Sequence, residues 1–418
     1  MRVLLIGVDG RVYSMAKNMA EHGHTLAVVG GRDFMAPLFH HIVDAEPDNE
    51  EAVMTIANLF KPDLIVPVSW ETSHAGIVDR LRAEGFSVFG ASLDGIALEA
   101  SKYTGLRFSE MLKVPVAPYK MAYTVAEIAH AIKEKDYLVV KRTGFAGGKG
   151  VTIWDNDIDA YEQALKVLDL DGEVMIQKKI DGVPVNLVWM QTPNGQVPIC
   201  MQTDYKRTYS GDLGPFCGAM GATIWNHIPD KVVDTMIKPF DEALAEIGYF
   251  GRVGLDCMYE TATGKLYVIE WTARFGTPTT ETLFGTWDDD IACLLKSWLA
   301  GELKEPEVLG KIGIGVAIAG GGYPYPDMVL QGLPVKVDGQ LDDVIPIGVS
   351  GSRMMLRTKG GRHFVAVGHG NTIEEAQKSA YGAVKKVSFT DMFYRIDIGE
   401  DMKLGNVFTD IEERWSDD

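Results

Sequence analysis

Between Val3 and Phe89, short apolar runs alternate with amphipathic stretches. That alternation restricts this part of the chain to a parallel sheet flanked by helices. The runs are residues 3–6, 26–29, 64–68 and 88–89; residues 12–22, 50–60 and 73–84 between them have helical spacing. Sheets of this kind place small-molecule sites outside the carboxyl ends of their strands. The loop after the first run, Gly7-Val-Asp-Gly-Arg11, lacks the complete glycine spacing of a dinucleotide fingerprint. A general small-molecule site is the stronger expectation there.

The remaining length requires further domains, because 418 residues exceed what one hydrophobic core organises. A hydrophobic fraction of 46% with 23% charged residues is ordinary globular composition. The net charge of −18 excludes a nucleic-acid polyanion as the main partner, since that needs a basic surface. It leaves nucleotides open, because they need only a local cationic pocket. Cys200, Cys217, Cys257 and Cys293 are scattered without zinc spacing and read as free thiols of a cytoplasmic protein. His22 and His24, and His40 and His41, read as surface pairs. The first apolar run breaks at Gly7 and is too short for a signal peptide, and no run is long enough to span a membrane.

Beyond Lys102 the texture changes. Residues 103–112 and 124–135 have helical spacing, with Thr124 and Glu127 forming a capping-box pattern, and 114–118 read as an extended connection. Helices are expected at 157–168, 230–246 and 288–299, and strands at 173–178 and within 183–202 and 252–271. The acidic run Asp288-Asp-Asp290 reads as a helix start rather than a metal site. From Gly313 onward short strands (314–319, 335–337, 344–348, 353–358 and 364–368) precede a helix at 372–387, the pattern of a small α+β domain.

Two segments carry the chemistry. Residues 137–151 run from an apolar strand ending in Lys141, through a loop with Gly144, Gly147, Gly148, Lys149 and Gly150, into a second strand. Glycines let backbone N–H groups approach phosphate oxygens, and lysines neutralise their charge. The spacing is not that of a Walker A loop, which lacks this following strand and carries Ser or Thr after its lysine. The second segment, Lys265-Leu-Tyr-Val-Ile-Glu-Trp-Thr-Ala-Arg-Phe-Gly276, puts Glu270, Thr272 and Arg274 at alternate positions and so on one face. Asp256, on the preceding strand across a turn at Gly264, is expected opposite. A carboxylate pair suits magnesium, and an arginine suits a phosphorylated intermediate.

In this order the segments resemble the ATP-grasp ligases, and nearly the whole chain is similar to the phosphoribosylamine–glycine ligases. The matching motifs include Gly10-Arg11, Leu98-Glu-Ala-Ser-Lys102, Gly147-Gly-Lys-Gly-Val151, Asp204-Tyr-Lys-Arg207, Gly218-Ala-Met-Gly-Ala222, Val268-Ile-Glu270, Ala273-Arg-Phe-Gly276 and Gly360-Gly-Arg362. The resemblance implies a multidomain α/β and α+β protein. It comprises an N-terminal parallel α/β (preATP-grasp) domain at 1–104, a flap subdomain at 118–182, a central ATP-grasp domain at 105–117 and 183–311, and a small C-terminal α+β domain at 312–418. It implies ATP with magnesium or manganese, a small carboxylic acid and an amine as substrates, amide formation through an acyl phosphate, and a monomer or small homo-oligomer. Lys102, Lys141 and the flap from Gly144 to Gly150 would hold phosphates, and Gln177, Lys178 and Ile180 would line the adenine. Glu270, Asp256 and Thr272 would hold the metal, and Arg274 and Lys149 would act in catalysis. Gly10, Arg11, Glu71, Asp204, Lys206, Arg207, Gly218 and Met220 would face the substrates.

The pattern departs from the family at particular places. Thr272 stands where the family has an asparagine, and Gln177-Lys178 and Val183-Pro184 replace acidic residues around the nucleotide. Val12-Tyr13, Val68-Ser-Trp-Glu71 and Thr277-Pro-Thr-Thr280 replace family motifs on the substrate side. The sequence therefore leaves three readings open: a phosphoribosylamine–glycine ligase of purine synthesis, a related ligase joining another acid and amine, and a nucleotide-binding protein with weakened catalysis.

Overall fold

The computed structural model describes residues 1–134, 136–144, 150–352 and 354–416. Its N-terminal sheet is parallel throughout, in the order His41–Val43, Thr25–Val29, Arg2–Ile6, Leu64–Pro67. Val3, Leu5 and Val28 lie in one fully buried cluster and Leu4, Ile6 and Val29 in another, so both faces of this sheet are covered. That is why its strands read as unbroken apolar runs. Residues 88–89 contribute only one ladder contact, Val88 beside Ile65. The expected helix at 73–84 is two helices, Trp70–His74 and Ile77–Ala83, because Gly76 between them adopts φ 75°.

Residues 119–177 build a separate antiparallel sheet, in the order Tyr119–Ala122, Val174–Gln177, Val139–Lys141, Val151–Ile153, with its own small core. Thr124 caps the Val125–Ile132 helix by accepting the Glu127 N–H, while Glu127 accepts from the backbone of Tyr123. The large antiparallel sheet runs Lys265–Thr272, Gly251–Glu260, Val183–Thr192, Gly195–Asp204, Gly221–Trp225, Ile312–Gly320, Arg362–Gly370, Val344–Pro346. The strand-rich C-terminal segment therefore extends this sheet through the pairing of Ile312–Gly320 with Gly221–Trp225. Under the sheet, Trp189, Phe240 and Trp271 pack edge to face or stacked, with the Phe240 and Trp271 centroids 4.8 Å apart.

The expected helix at 230–246 is broken at Pro239, which cannot donate to the helical ladder. A π turn at Val233–Ile237 and a 3₁₀ turn at Lys238–Phe240 precede the Asp241–Glu246 helix. The acidic run caps rather than enters its helix: Asp290 accepts the Cys293 N–H at the start of Ile291–Leu299. His24, expected at the surface, is buried, with its Nε2 2.9 Å from Asp290. The helix expected at 372–387 is Ile373–Val384, with a full capping box between Thr372 and Glu375. The strand expected at 353–358 is confined to Arg357–Thr358, and Arg353 lies outside the described residues. Among the described residues, no helix is long and apolar enough to cross a membrane.

Candidate active site

A β-bulge creates the central feature of the site. Asp256 pairs directly with Glu270, yet Cys257 pairs with Val268, so Ile269 is an extra residue in its strand. The extra residue reverses which side chains face the core: Leu266, Val268 and Trp271 are buried, while Glu270 and Thr272 turn to the other side. The bulged Ile269 carbonyl accepts from the Lys141 ammonium at 3.1 Å. Glu270 Oε1 lies 3.0 Å from the Lys102 ammonium. Lys102 from the start of the Lys102–Met111 helix thus pairs with the Glu270 carboxylate, and Lys141 from the flap sheet docks on the adjacent bulged carbonyl.

Electrostatics follow from this packing. Burial alone would raise the Glu270 carboxyl, but Lys102, Lys141 and Lys206 outweigh it and hold it below the usual carboxylate range. Burial, with the Lys102 and Lys206 charges, pushes Lys141 down to about 8 against the attraction of Glu270. Burial works against a charged Lys206 too, yet Asp256, Asp204 and Glu270 raise it above its ordinary value. Lys141 is thus protonated below about pH 8 and loses its charge above it. The KM for ATP is expected to rise as pH increases through that value, and Lys141→Met should flatten this limb of the pH profile.

Arg274 is held from behind. Glu99, buried on the Leu93–Ala100 helix, accepts from Arg274 Nε at 3.1 Å and from the Ala273 N–H at 2.7 Å. Burial raises the Glu99 carboxyl, with Arg274 pulling the other way. Glu99→Ala leaves this arginine without its carboxylate and is expected to cost about 3 kcal/mol of stability, read as a lower urea midpoint.

Asp256 completes a polar row across four strands. Glu270 opposes Asp256, Asp256 opposes Asn186, and Asn186 opposes Gln202. All four line a cleft of about 750 Å³ between the large sheet, the N-terminal sheet and the C-terminal segment. Thr272 Oγ1 donates to Asp256 at 2.8 Å, so it orients that carboxylate. Asp256, Glu270, Thr272 and the Asn186 carbonyl form a set of hard oxygen donors, which fits magnesium or manganese.

Several other expected residues also reach this cleft: Arg11, Glu71, Asp204, Lys206, Gly218 and Arg274. Asp204 Oδ1 is buried there with no hydrogen-bond partner, and burial raises its carboxyl above the ordinary value. Arg11 is already neutralised by Asp9, with an Nη2–Oδ2 distance of 2.7 Å. Three of the residues expected to face the substrates are absent from the lining. The Arg207 guanidinium stacks on Phe216, 3.7 Å from the ring centroid. Met220 is fully buried. Gly10 packs so closely on Ile347 that a Cβ would fall 2.1 Å from its methyl carbon.

On the nucleotide side, Gln177 is buried and donates to the Ala117 carbonyl, and the Lys178 N–H is taken by the Pro118 carbonyl. Ile180 is half-buried at the end of this hinge. Gly144 bridges Ser101 and the Gly150 carbonyl accepts the Arg142 N–H, closing the flap's two stems. Gly147, Gly148 and Lys149 lie outside the described residues.

Sequence reading missed Glu99, Asn186, Gln202, Arg252, Lys359 and Arg362 as cleft-lining residues. For Asn186, Gln202 and Arg252 the available signal was a polar residue inside an otherwise apolar strand.

Family models cover most of the chain. Residues 1–99 match the N domain of phosphoribosylglycinamide synthetase, 88–280 its ATP-grasp (A) domain, and 313–401 its C domain. A phosphoribosylamine–glycine ligase of Halalkalibacterium halodurans is 30% identical, over 96% of this chain and 96% of its own. The chain belongs to the phosphoribosylglycinamide synthetase family. The relative of the same name from Corynebacterium ammoniagenes is 28% identical, over 98% of this chain and 100% of its own. A solved phosphoribosylamine–glycine ligase from Thermotoga maritima superposes with a TM-score of 0.80 at 26% identity, covering 95% of this chain and 100% of that one. A biotin carboxylase from Campylobacter jejuni shares the fold alone, with a TM-score of 0.72 at 13% identity over 98% of this chain and 96% of that one. The fold is the ATP-grasp architecture with the N, A and C domains of the synthetase family.

Proposed function

We propose that this protein is an ADP-forming, ATP-dependent carboxylate–amine ligase of the phosphoribosylamine–glycine type. The observation that carries the reading is the meeting of Lys102, Lys141 and Glu270 beside the bulged Ile269, at the base of a glycine-rich flap.

The chemistry follows from what these groups can do. A carboxylate is a poor electrophile. One of its oxygens attacks the γ-phosphorus of ATP, ADP leaves, and the acid becomes an acyl phosphate. The amine nitrogen then attacks the acyl carbon, phosphate leaves with the former carboxylate oxygen, and the nitrogen loses a proton. Lys102 and Lys141 balance phosphate charge, and Arg274, fixed by Glu99, faces the transferring phosphoryl group. Asp256 and Glu270, with Thr272 and Asn186 beside them, would hold the divalent metal, which when bound would neutralise phosphate charge. Closure of the flap would exclude the water that hydrolyses acyl phosphates.

On the substrate side, Asp204 offers an unpartnered buried oxygen to an ammonium or amine donor. Lys359 and Arg362 flank Gly360 and Gly361 on the C-terminal wall and have no carboxylate partner among the described residues. Cations without a carboxylate partner suit a phosphorylated amine. The expected domain division at 1–104, 118–182, 105–117 with 183–311, and 312–418 belongs to the same reading, as does cytoplasmic synthesis of purines.

The test is ADP release with ATP, magnesium, glycine and 5-phosphoribosylamine. The proposal requires release that depends on both an acid and an amine. ATP binding without turnover across a panel of acids and amines would contradict it.

A further inference from the structure

Arg252 is a buried cation in the cleft lining to which the mechanism gives no role. It is 4% exposed, yet it lines the cleft. Its Nη1 donates to the carbonyls of Arg274 at 2.7 Å and Thr272 at 3.4 Å, and among the described residues no carboxylate lies within ion-pair distance of it. Carbonyl oxygens satisfy part of its hydrogen-bonding capacity and none of its charge. Burying a guanidinium without an anion is costly. Burial and the neighbouring Arg274 charge both act against its charged form.

A second observation concerns the space in front of it. Arg252, Gly254 and Asp256 share one face of their strand at a spacing of two residues. A Cβ at Gly254 would fall 2.9 Å from Arg252 Nη1, 3.2 Å from Nη2 and 3.1 Å from the Asn186 carbonyl oxygen. The missing side chain lets the guanidinium fold over Gly254 toward the metal-ligand row. Gly254 is two residues from Asp256, so the guanidinium sits roughly 7 Å along the strand from that position.

We infer that Arg252 receives a second anionic group on the acid substrate, and that this acid is a dicarboxylic acid rather than glycine. The inference rests on the acyl-phosphate ligase chemistry above and departs from that reading in the identity of the acid, and so in its purine pathway. The reacting carboxylate must lie near Arg274 and Glu270, where the acyl phosphate forms, and Arg252 leans on the backbone of Arg274 itself. A small dicarboxylic acid such as aspartate or glutamate spans the interval; a two-carbon acid does not. Of the other anions, the ATP phosphates belong to Lys102, Lys141 and Arg274 in the ligase reading, and a phosphate on the amine belongs to Lys359 and Arg362 on the C-terminal side of the cleft.

The experiment uses the full chain with magnesium and a non-hydrolysable ATP analogue. Calorimetric affinities are measured for L-aspartate, L-glutamate, glycine and ribose 5-phosphate, for the native protein and for Arg252→Gln. The expected result is a dicarboxylate bound roughly ten- to a hundred-fold more tightly than glycine, with that preference lost in Arg252→Gln. Arg252→Lys, which keeps the charge without the planar fork, should retain part of the preference and decides the matter if the glutamine variant fails to fold. Glycine bound as tightly as either dicarboxylate would overturn the inference. So would an Arg252→Gln effect confined to ribose 5-phosphate, which would assign the arginine to the amine's phosphate. Arg252-dependent acid binding without ADP release for any acid–amine pair would sustain the subsite and sink the ligase reading, so the two failures are distinguishable.

Discussion

Replacing Glu270 with alanine is expected to stop ADP release, lowering kcat about a thousand-fold or more. The size follows from two losses at one position. The carboxyl is held below the usual carboxylate range by Lys102, Lys141 and Lys206, which favours the ionised form that the proposed metal site needs. It is also the anion that holds the Lys102 ammonium at 3.0 Å. Without it, three cations face one another across the flap base, and metal affinity should drop about a hundred-fold. Glu270→Gln keeps the shape and one oxygen donor, and should recover metal affinity only in part. Metal titration by calorimetry, beside ADP release by a coupled assay, checks both effects. An unchanged rate in the alanine variant would remove Glu270 from the metal site.

Arg274→Lys is expected to lower kcat about a thousand-fold while the KM for ATP moves only a few-fold. The lysine keeps a positive charge but loses the planar fork, and the Nε contact to Glu99 at 3.1 Å goes with it. The charge that Arg274 meets develops mainly in the transition state, so its loss appears in kcat rather than in ground-state binding. Steady-state kinetics at saturating magnesium separate the two. A rise in KM with kcat preserved would make Arg274 a ground-state nucleotide contact instead.

Much of this arrangement was legible in the sequence because it depends on periodicity. The N-terminal strands are buried on both faces and so read as unbroken apolar runs. The hairpin across the Gly264 turn brings the Asp256 strand beside the Glu270 strand, but its plain register, which pairs Glu260 with Lys265 and Cys257 with Val268, would set Asp256 opposite Ile269. What stayed hidden depends on local irregularity. The bulge at Ile269, which sends Glu270 to the cleft and Trp271 to the core, is an extra residue that no alternation pattern shows. Gly76 divides one helical pattern into two helices through a positive φ that spacing cannot reveal. Pro239 breaks another, and there the residue itself was the signal.

The site divides along the same line. Lys102, Lys141, Glu270 and Arg274 are the residues that polarity at strand and helix ends identifies, and the fold gathers them. Asn186, Gln202 and Arg252 sit inside buried strands, where only strand pairing shows that they share a face. Arg207 and Met220 lie beside motif residues in the sequence, yet one is stacked on Phe216 and the other is buried. Proximity along the chain is therefore a poor guide to which member of a motif meets the substrate.

The central chemical step proposed is activation of the acid as an acyl phosphate. Supplying the acid with both carboxylate oxygens labelled as oxygen-18, and analysing the inorganic phosphate by mass spectrometry, tests it most directly. One labelled oxygen is expected in each phosphate released with amide product. Phosphate carrying no label while amide accumulates would contradict it.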